Sequence, residues 1–158
     1  MAGKGITLSQ ECKIINALGP VDVGGAAKTT DYWSMEDYAH ATIIVTTRVV
    51  TNDVLLKIYE SDNLSGSTKS FIDFKYAQEL TAAGDTLAAL AWVGAATGLQ
   101  TGTNNTTTTV IEIDASQLTD GYPCMALLTD NAGNALIAVT VILSGARYQK
   151  DPMATAIA

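Results

Sequence analysis

Apolar and polar residues alternate along most of the chain, and this two-residue period predicts β-strands. The clearest case is the segment 41–49. Its apolar face would carry Ala41, Ile43, Val45 and Val49, and its other face Thr42, Ile44, Thr46 and Arg48. The segment 54–61 alternates in the same way, and the polar turn at 51–53 between the two predicts a hairpin. No segment has the apolar spacing of a long amphipathic helix.

Turn residues divide the chain into about eight such segments. They are 12–17, 41–49, 54–61, 73–80, 87–94, 110–114, 122–129 and 135–143. The alanines and leucines of 87–94 also suit a helix, but its short length and flanking glycines favour a buried strand. Residues 114–118 predict one capped helical turn, and 122–129 and 135–143 predict a second hairpin around the turn at 130–134.

These segments together predict one all-β domain, a β-sandwich or jelly roll of about eight antiparallel strands. The last strand is apolar on both faces, which is typical of a central strand. We expect an N-terminal arm at 1–10, the sandwich at 11–144 and a C-terminal tail at 145–158. The stretch 18–30 is expected to be an extended loop because Pro20, Gly24 and Gly25 interrupt it. Both termini are expected to be flexible and to become ordered on a partner.

Composition narrows the classes of protein. The 158 residues are 47% hydrophobic and only 16% charged, a balance that suits β-proteins whose surfaces are covered by neighbours. The net charge of −7, with nine scattered Lys and Arg residues, predicts that the chain does not bind nucleic acid. The longest apolar run, 87–99, is too short and too rich in glycine for a membrane span, and the N-terminus lacks a signal-peptide core. We therefore expect a soluble protein made in a cytoplasm.

The two cysteines, Cys12 and Cys124, are far apart in the sequence and are not part of a paired motif. A cytoplasmic origin favours buried free thiols. Pairing of two strands could also bring these cysteines within disulfide reach, and the sequence leaves this alternative open.

The segment 31–40, "DYWSMEDYAH", concentrates aromatic rings, carboxylates and the only histidine. Its candidate metal ligands are Asp31, Glu36, Asp37 and His40. One histidine without a nearby thiol suits zinc poorly, and the calcium-loop pattern is absent, so we predict no metal. The aromatic residues of this segment have two possible roles, since they could fill or rim the core or form a patch that faces a partner. They are Tyr32, Trp33 and Tyr38.

Catalytic chemistry finds little support in the sequence. A serine triad could draw only on His40, with Ser34 and Asp37 as neighbours in sequence rather than in proven geometry. Cys124 follows Pro123 at a strand start without a basic neighbour, as expected of a core residue. We predict that the chain is not an enzyme and needs no cofactor. The Thr- and Asn-rich run 101–109 could bind sugar, but we favour an exposed loop.

Three stretches in order carry a family resemblance: "GPVDVGG", "TTDYWSMEDYAHATIIVTT" and "AVTVILSGARYQKDP". They are a Gly/Pro loop, an aromatic segment that enters a strong strand, and a buried strand that runs into an aromatic and basic tail. In this order of features the chain resembles virion proteins of tailed bacteriophages. The chain looks most like their head decoration, or cement, proteins. Tail and neck components share this β-rich style, and a carbohydrate-binding β-sandwich module is a further alternative.

The resemblance implies a β-sandwich homotrimer on the outer surface of the capsid. It would bind the major capsid protein and stabilise contacts between neighbouring subunits against the pressure of the packaged DNA. It would be a structural component without catalytic activity, cofactor, nucleic-acid or membrane partner. The candidate partner interface consists of Tyr32, Trp33, Tyr38, Arg147 and Tyr148.

Overall fold

A computed structural model describes residues 5–49, 52–79, 84, 86–102, 107–130, 135–147 and 155–157. Twelve strands and two short helical turns make up this part of the chain. In order they are α1 (Leu8–Glu11), β1 (Lys13–Asp22), β2 (Lys28–Thr29), β3 (Trp33–Ser34), β4 (His40–Val49), β5 (Leu55–Ser61), β6 (Lys69–Ile72), β7 (Phe74–Glu79), β8 (Ala91–Val93), β9 (Leu99–Gln100), β10 (Thr107–Asp114), a 3-10 turn (Ala115–Gln117), β11 (Cys124–Thr129) and β12 (Ala135–Ser144).

The strands form two antiparallel sheets that enclose one apolar core, so the predicted all-β sandwich is confirmed. The first sheet has the order β1-β12-β4-β10-β7-β8. The second has the order β2-β11-β5-β6, with β3 also paired to β11 and β9 to β5. Strand β12 lies between β1 and β4, which confirms its prediction as an interior strand.

Alternation in the sequence correctly predicts which side chains face the core. In β4, Ala41, Ile43 and Val45 are buried, and Thr46 and Arg48 on the other face are exposed. In β5, Leu56 and Ile58 are buried, whereas the ring of Tyr59 lies on the outer face against Phe71. Burial of these apolar faces against each other is the main stabilising contribution to such a sandwich.

Both predicted hairpins are wrong. Strand β5 does not pair with β4 but with β11, β6 and β9 in the second sheet. Likewise, β12 does not return beside β11 but joins the first sheet beside β4 and β1. The physical reason is that a turn can either fold a strand back within one sheet or carry the chain across the core to the other. The apolar face points to the same core in both cases, so alternation cannot distinguish them.

Two strands extend at least three residues beyond their predicted bounds. Strand β1 continues through Gly19 and Pro20 to Asp22 instead of ending before residue 18. It is an edge strand with register shifts between Asn16 and Leu18 and between Leu18 and Val21, a position that tolerates a proline without an N–H group. Strand β10 begins at Thr107, within the stretch expected to be loop.

The predicted buried strand at 87–94 is only partly a strand, and it is exposed. Regular pairing covers Ala91–Val93, where β8 pairs with β7 at the edge of the first sheet. Leu87, Leu90 and Trp92 are largely exposed. The error arises because an apolar run gives no indication of whether its strand lies inside a sheet or at its edge.

The chain terminus returns to the domain. The amide N–H of Ser34 donates to the carbonyl oxygen of Ala156 at 2.7 Å, and Ala156 is buried. Residues 155–157 therefore contact their own sandwich, and they lie within the stretch 145–158 that the sequence predicts to be a flexible tail. Both cysteines are free thiols, as expected, with Cys124 buried and Cys12 half-buried. Among the described residues, no helix is long and apolar enough to cross a membrane.

Candidate interaction surfaces

The aromatic segment at 31–40 is mainly part of the core. Trp33 pairs with Met125 across β3 and β11, and both side chains are fully buried. Tyr38 is buried as well. The structure thus places Trp33 and Tyr38 among the core residues, the first of the two roles considered from sequence.

Tyr32 is half-buried beside the loop that follows β5. Its hydroxyl lies against Gly66, whose φ of +66° is left-handed and whose missing side chain leaves room for the ring. A Cβ at Gly66 would overlap with the Tyr32 hydroxyl. The sequence did not indicate this close contact, because glycines in polar loops are too common to single one out.

Arg147 lies at the mouth of an open cavity of about 300 Å³ at one end of the sandwich. Its backbone N–H donates to the carbonyl oxygen of Asp37 at 2.9 Å, and its side chain is exposed. Glu36, Leu118 and Tyr122 also line the cavity. Of the predicted interface residues, Arg147 is therefore on the surface, whereas Tyr148 lies outside the described residues.

His40 is held between two carboxylates on the outer face of the first sheet. Its Nδ1 lies 2.7 Å from Asp114 Oδ1 and its Nε2 lies 2.7 Å from Glu112 Oε2, while Thr42 Oγ1 donates to the same Glu112 oxygen at 2.8 Å. The pairing of β4 with β10 produces this arrangement, because His40 faces Asp114 and Thr42 faces Glu112.

Opposing effects act on the pKa of His40. Burial on its own would lower that pKa, but hydrogen bonds and charge attraction from Asp114 and Glu112 outweigh it and raise the pKa above the ordinary value. His40 therefore contacts Asp114 and Glu112, and among the described residues no group of three or more His, Cys, Asp or Glu side chains is arranged to hold a metal ion. The alternating carboxylates of "EID" at 112–114 were the missed signal.

The hydroxyl groups at the end of the Thr-rich run are used inside the fold. Thr107 and Thr109 are buried in β10. Thr107 shares a hydrogen bond with Thr47, and Gln78 Nε2 donates to Thr109 Oγ1 at 3.1 Å. These two threonines therefore cannot offer their hydroxyl groups to a sugar, and residues 103–106 of the run lie outside the described residues.

Three exposed apolar side chains lie together next to one edge of the first sheet, and we call them the edge strip: Leu87, Leu90 and Trp92. Leu90 is 60% exposed and Trp92 is 61% exposed. The Lys75 ammonium lies 5.0 Å from the centre of the Trp92 ring and covers part of one face. Exposed tryptophan and leucine side chains of this kind are typical of surfaces that bind a partner.

Aromatic rings on the outer face of the second sheet are arranged differently. Tyr59 and Phe71 stack with their centroids 4.3 Å apart. Lys57 lies 4.9 Å above the Phe71 ring, and Lys69 lies 4.8 Å above the Tyr59 ring. Because the two rings cover each other and each carries a lysine, neither has an open face on which a sugar ring could stack.

Comparisons with known proteins find a solved structure with a similar fold but no family to which the chain can be assigned. No family model and no curated protein matches the chain. Among solved structures, the SPBc2 prophage-derived protein YomS is similar, with a TM-score of 0.50 and 9% sequence identity over 85% of this chain and 94% of that one. At this identity the likeness concerns the fold alone.

Proposed function

We propose that the chain is a structural protein of a tailed-bacteriophage particle, and specifically a head decoration protein. It binds the outer surface of the capsid and joins neighbouring subunits of the major capsid protein. The sequence resemblance supports this proposal, and the prophage origin of YomS, which shares the fold, agrees with it. The chain acts through binding and has no catalytic role.

The observation that carries the proposal is the edge strip. Exposed leucine and tryptophan side chains keep apolar surface in contact with water. A partner that covers this surface gains about 25 cal/mol of free energy for each Å² removed from water. Leu87, Leu90 and Trp92 lie close together in sequence beside β8, the outermost strand of the first sheet among the described residues, a position that can offer both apolar contact and backbone groups. A protein surface supplies complements to both.

Decoration works by multivalent attachment. Each protomer makes a modest contact with the shell, and an oligomer makes several contacts at once, so that the effective concentration raises the overall affinity. A homotrimer suits sites where three capsid subunits meet.

The end of the sandwich that carries Arg147 and the open cavity is the surface we assign to the shell, because its mixed charged and aromatic lining suits a polar protein partner.

Binding to purified heads tests the proposal. Particles of the encoding phage would be prepared without this gene product, separated into heads and tails, and incubated with labelled protein. We expect saturable cosedimentation with heads. Saturable binding to tails or necks would support the tail or neck alternative, and failure to bind any part of the particle would contradict a structural role.

A matched pair of charge reversals localises the contact with the shell. Arg147→Glu is expected to reduce the affinity for heads at least ten-fold and to leave the native mass unchanged. Arg48→Glu reverses an exposed charge on β4, away from the cavity, and is expected to bind normally. Equal loss in both variants would mean that general charge, rather than this surface, controls attachment.

The second candidate is a carbohydrate-binding module, and Trp92 is the observation that favours it. An exposed indole ring with one face partly open can stack on a sugar. A glycan array separates the two functions. Saturable saccharide binding that Trp92→Ala abolishes, without binding to heads, would favour the module.

A further inference from the structure

The two outermost strands of the first sheet both display apolar side chains. At one edge lies the edge strip beside β8. At the other edge, Ile14 of β1 is 47% exposed, and Ile6 and Leu8 just before it are also exposed. Two separate patches on one molecule need two complementary surfaces.

Register connects the two patches across the sheet. Directly paired residues run from Trp92 through Lys75, Glu112, Thr42 and Ile142 to Ile14. Directly paired residues in a sheet point to the same face. Trp92 and Ile14 therefore lie on the same face and in the same row, at opposite ends.

Strand direction makes the two edges compatible. All five pairings between β1 and β8 are antiparallel, so β1 and β8 run in opposite directions. Consider a second copy placed beside the first in the same orientation, with the outer faces of the two sheets on the same side. Its β1 would then lie antiparallel to β8 of the first copy. The sheet would then continue from one protomer into the next with the ordinary ladder of an antiparallel sheet.

One meeting segment lacks the usual protection of a sheet edge, and the other, residues 13–16, carries it only at its first residue, Lys13. Natural edge strands are shielded by charges, proline or bulges. The segment 86–93 contains no charged residue and no proline. In β1, the register shifts and Pro20 lie after Asn16, so that only residues 13–16 pair regularly with β12. This regular stretch is close in length to the three-residue β8.

We propose that the edge strip binds a second copy of this chain, with β8 of one protomer against residues 13–16 of the next. Such a contact is heterologous, and repeating it closes a ring when the rotation between protomers allows. A symmetrical β8-to-β8 contact would leave the Ile14 patch exposed, whereas the head-to-tail contact covers both patches. This contact names the partner of the edge strip. Its role in capsid decoration rests on the proposed function.

Two edge variants and a matched control test the contact by native mass spectrometry of the full chain. Trp92→Lys and Ile14→Lys each place a charge at one edge, and both residues are exposed enough for the fold to tolerate it. Leu136→Lys is the control, because Leu136 is 45% exposed, similar to Ile14, but lies on β12 opposite Asp22, at the other end of β1 from residues 13–16. We expect oligomers for wild type and Leu136→Lys, and monomers for each edge variant alone.

Mixing the two edge variants gives the decisive result. Each retains one intact edge, so Ile14→Lys can offer its β8 to the β1 of Trp92→Lys. We expect a 1:1 heterodimer that does not grow further. Assembly lost in only one variant, no heterodimer on mixing, or a monomeric wild type would each overturn the head-to-tail contact. Binding to heads is measured separately, so a decoration protein that assembles by another surface would still be recognised.

Discussion

The two tryptophans of this chain lie in opposite environments. Trp33 pairs with Met125 in the second sheet and is fully buried, whereas Trp92 lies on the edge strand β8 of the first sheet and is 61% exposed. The sequence leaves a core role and a partner-facing role open for Trp33 and predicts a buried strand around Trp92, so the exposure of Trp92 is the departure from expectation. The comparison shows that a residue's neighbours in sequence do not decide its exposure. The face of the sheet on which its side chain lies does, since Trp33 faces the core and Trp92 lies on the outer face in one row with Lys75.

The largest expected difference is in stability. Trp33→Ala removes a fully buried ring and is expected to lower the free energy of unfolding by about 3–5 kcal/mol, since a cavity is left behind. Trp92→Ala is the matched control, with a change within about 0.5 kcal/mol in the monomer. Chemical denaturation of both variants at low protein concentration measures this. Equal destabilisation would mean that the two environments are not as different as described.

The contact between Tyr32 and Gly66 is the next test of the Trp33 region. Gly66→Ala is expected to lower the free energy of unfolding by roughly 2 kcal/mol, through left-handed strain and overlap with the Tyr32 hydroxyl. Gly121→Ala shares the left-handed conformation, with φ +84°, but has open space around the added Cβ, so only the strain of about 1 kcal/mol remains. In the Gly66→Ala background, Tyr32→Ala should restore part of the loss. If both glycine variants lose the same stability, the overlap is not significant.

The ion cluster at His40 lies on the same outer face as Trp92, and its effect on stability is expected to depend on pH. Because the pKa of His40 is raised in the folded state, its stabilising contribution is complete below about pH 6.5, the ordinary value, and is lost as pH rises through the folded pKa. Wild type should therefore exceed His40→Gln in stability more at about pH 6 than at about pH 9. NMR titration of this single histidine measures the pKa, and a value at or below that of the unfolded chain would contradict the cluster.

The smallest expected effect concerns the cation over the exposed ring. Lys75→Ala removes the ammonium 5.0 Å from the centre of Trp92 and should cost about 0.5 kcal/mol in the monomer. A double-mutant cycle with Trp92→Ala isolates this interaction. A coupling energy of zero would show that Lys75 leaves the ring unaffected and the indole faces fully open.

Much of the fold could be predicted from local sequence patterns, which are alternation, a strand apolar on both faces and a capping pattern. The faces of β4 and β5, the interior position of β12 and the helical turn after Asp114 are confirmed. The pairing partners could not be predicted, because crossing between sheets and folding back within one sheet bury the same apolar face. For this reason both expected hairpins join opposite sheets.

The candidate interaction surfaces were harder to predict from the sequence than the fold. Arg147 was singled out and lies on the surface, but the partner interface itself stays a prediction. The cluster of His40 with Glu112 and Asp114 depends on the pairing of β4 with β10, which connects residues more than 70 positions apart. The edge strip depends on strand order, since an apolar run is buried in a central strand and exposed at an edge.

We infer that this chain acts by assembly, through the exposed edges of its first sheet. The most direct test is the native mass of the full-length protein, measured by size exclusion with light scattering over a series of dilutions, with Trp92→Lys in parallel. We expect a closed oligomer, of three protomers by the resemblance to head decoration proteins, that Trp92→Lys converts to a monomer. A wild type that stays monomeric at every concentration, or an oligomer that Trp92→Lys leaves intact, would contradict it.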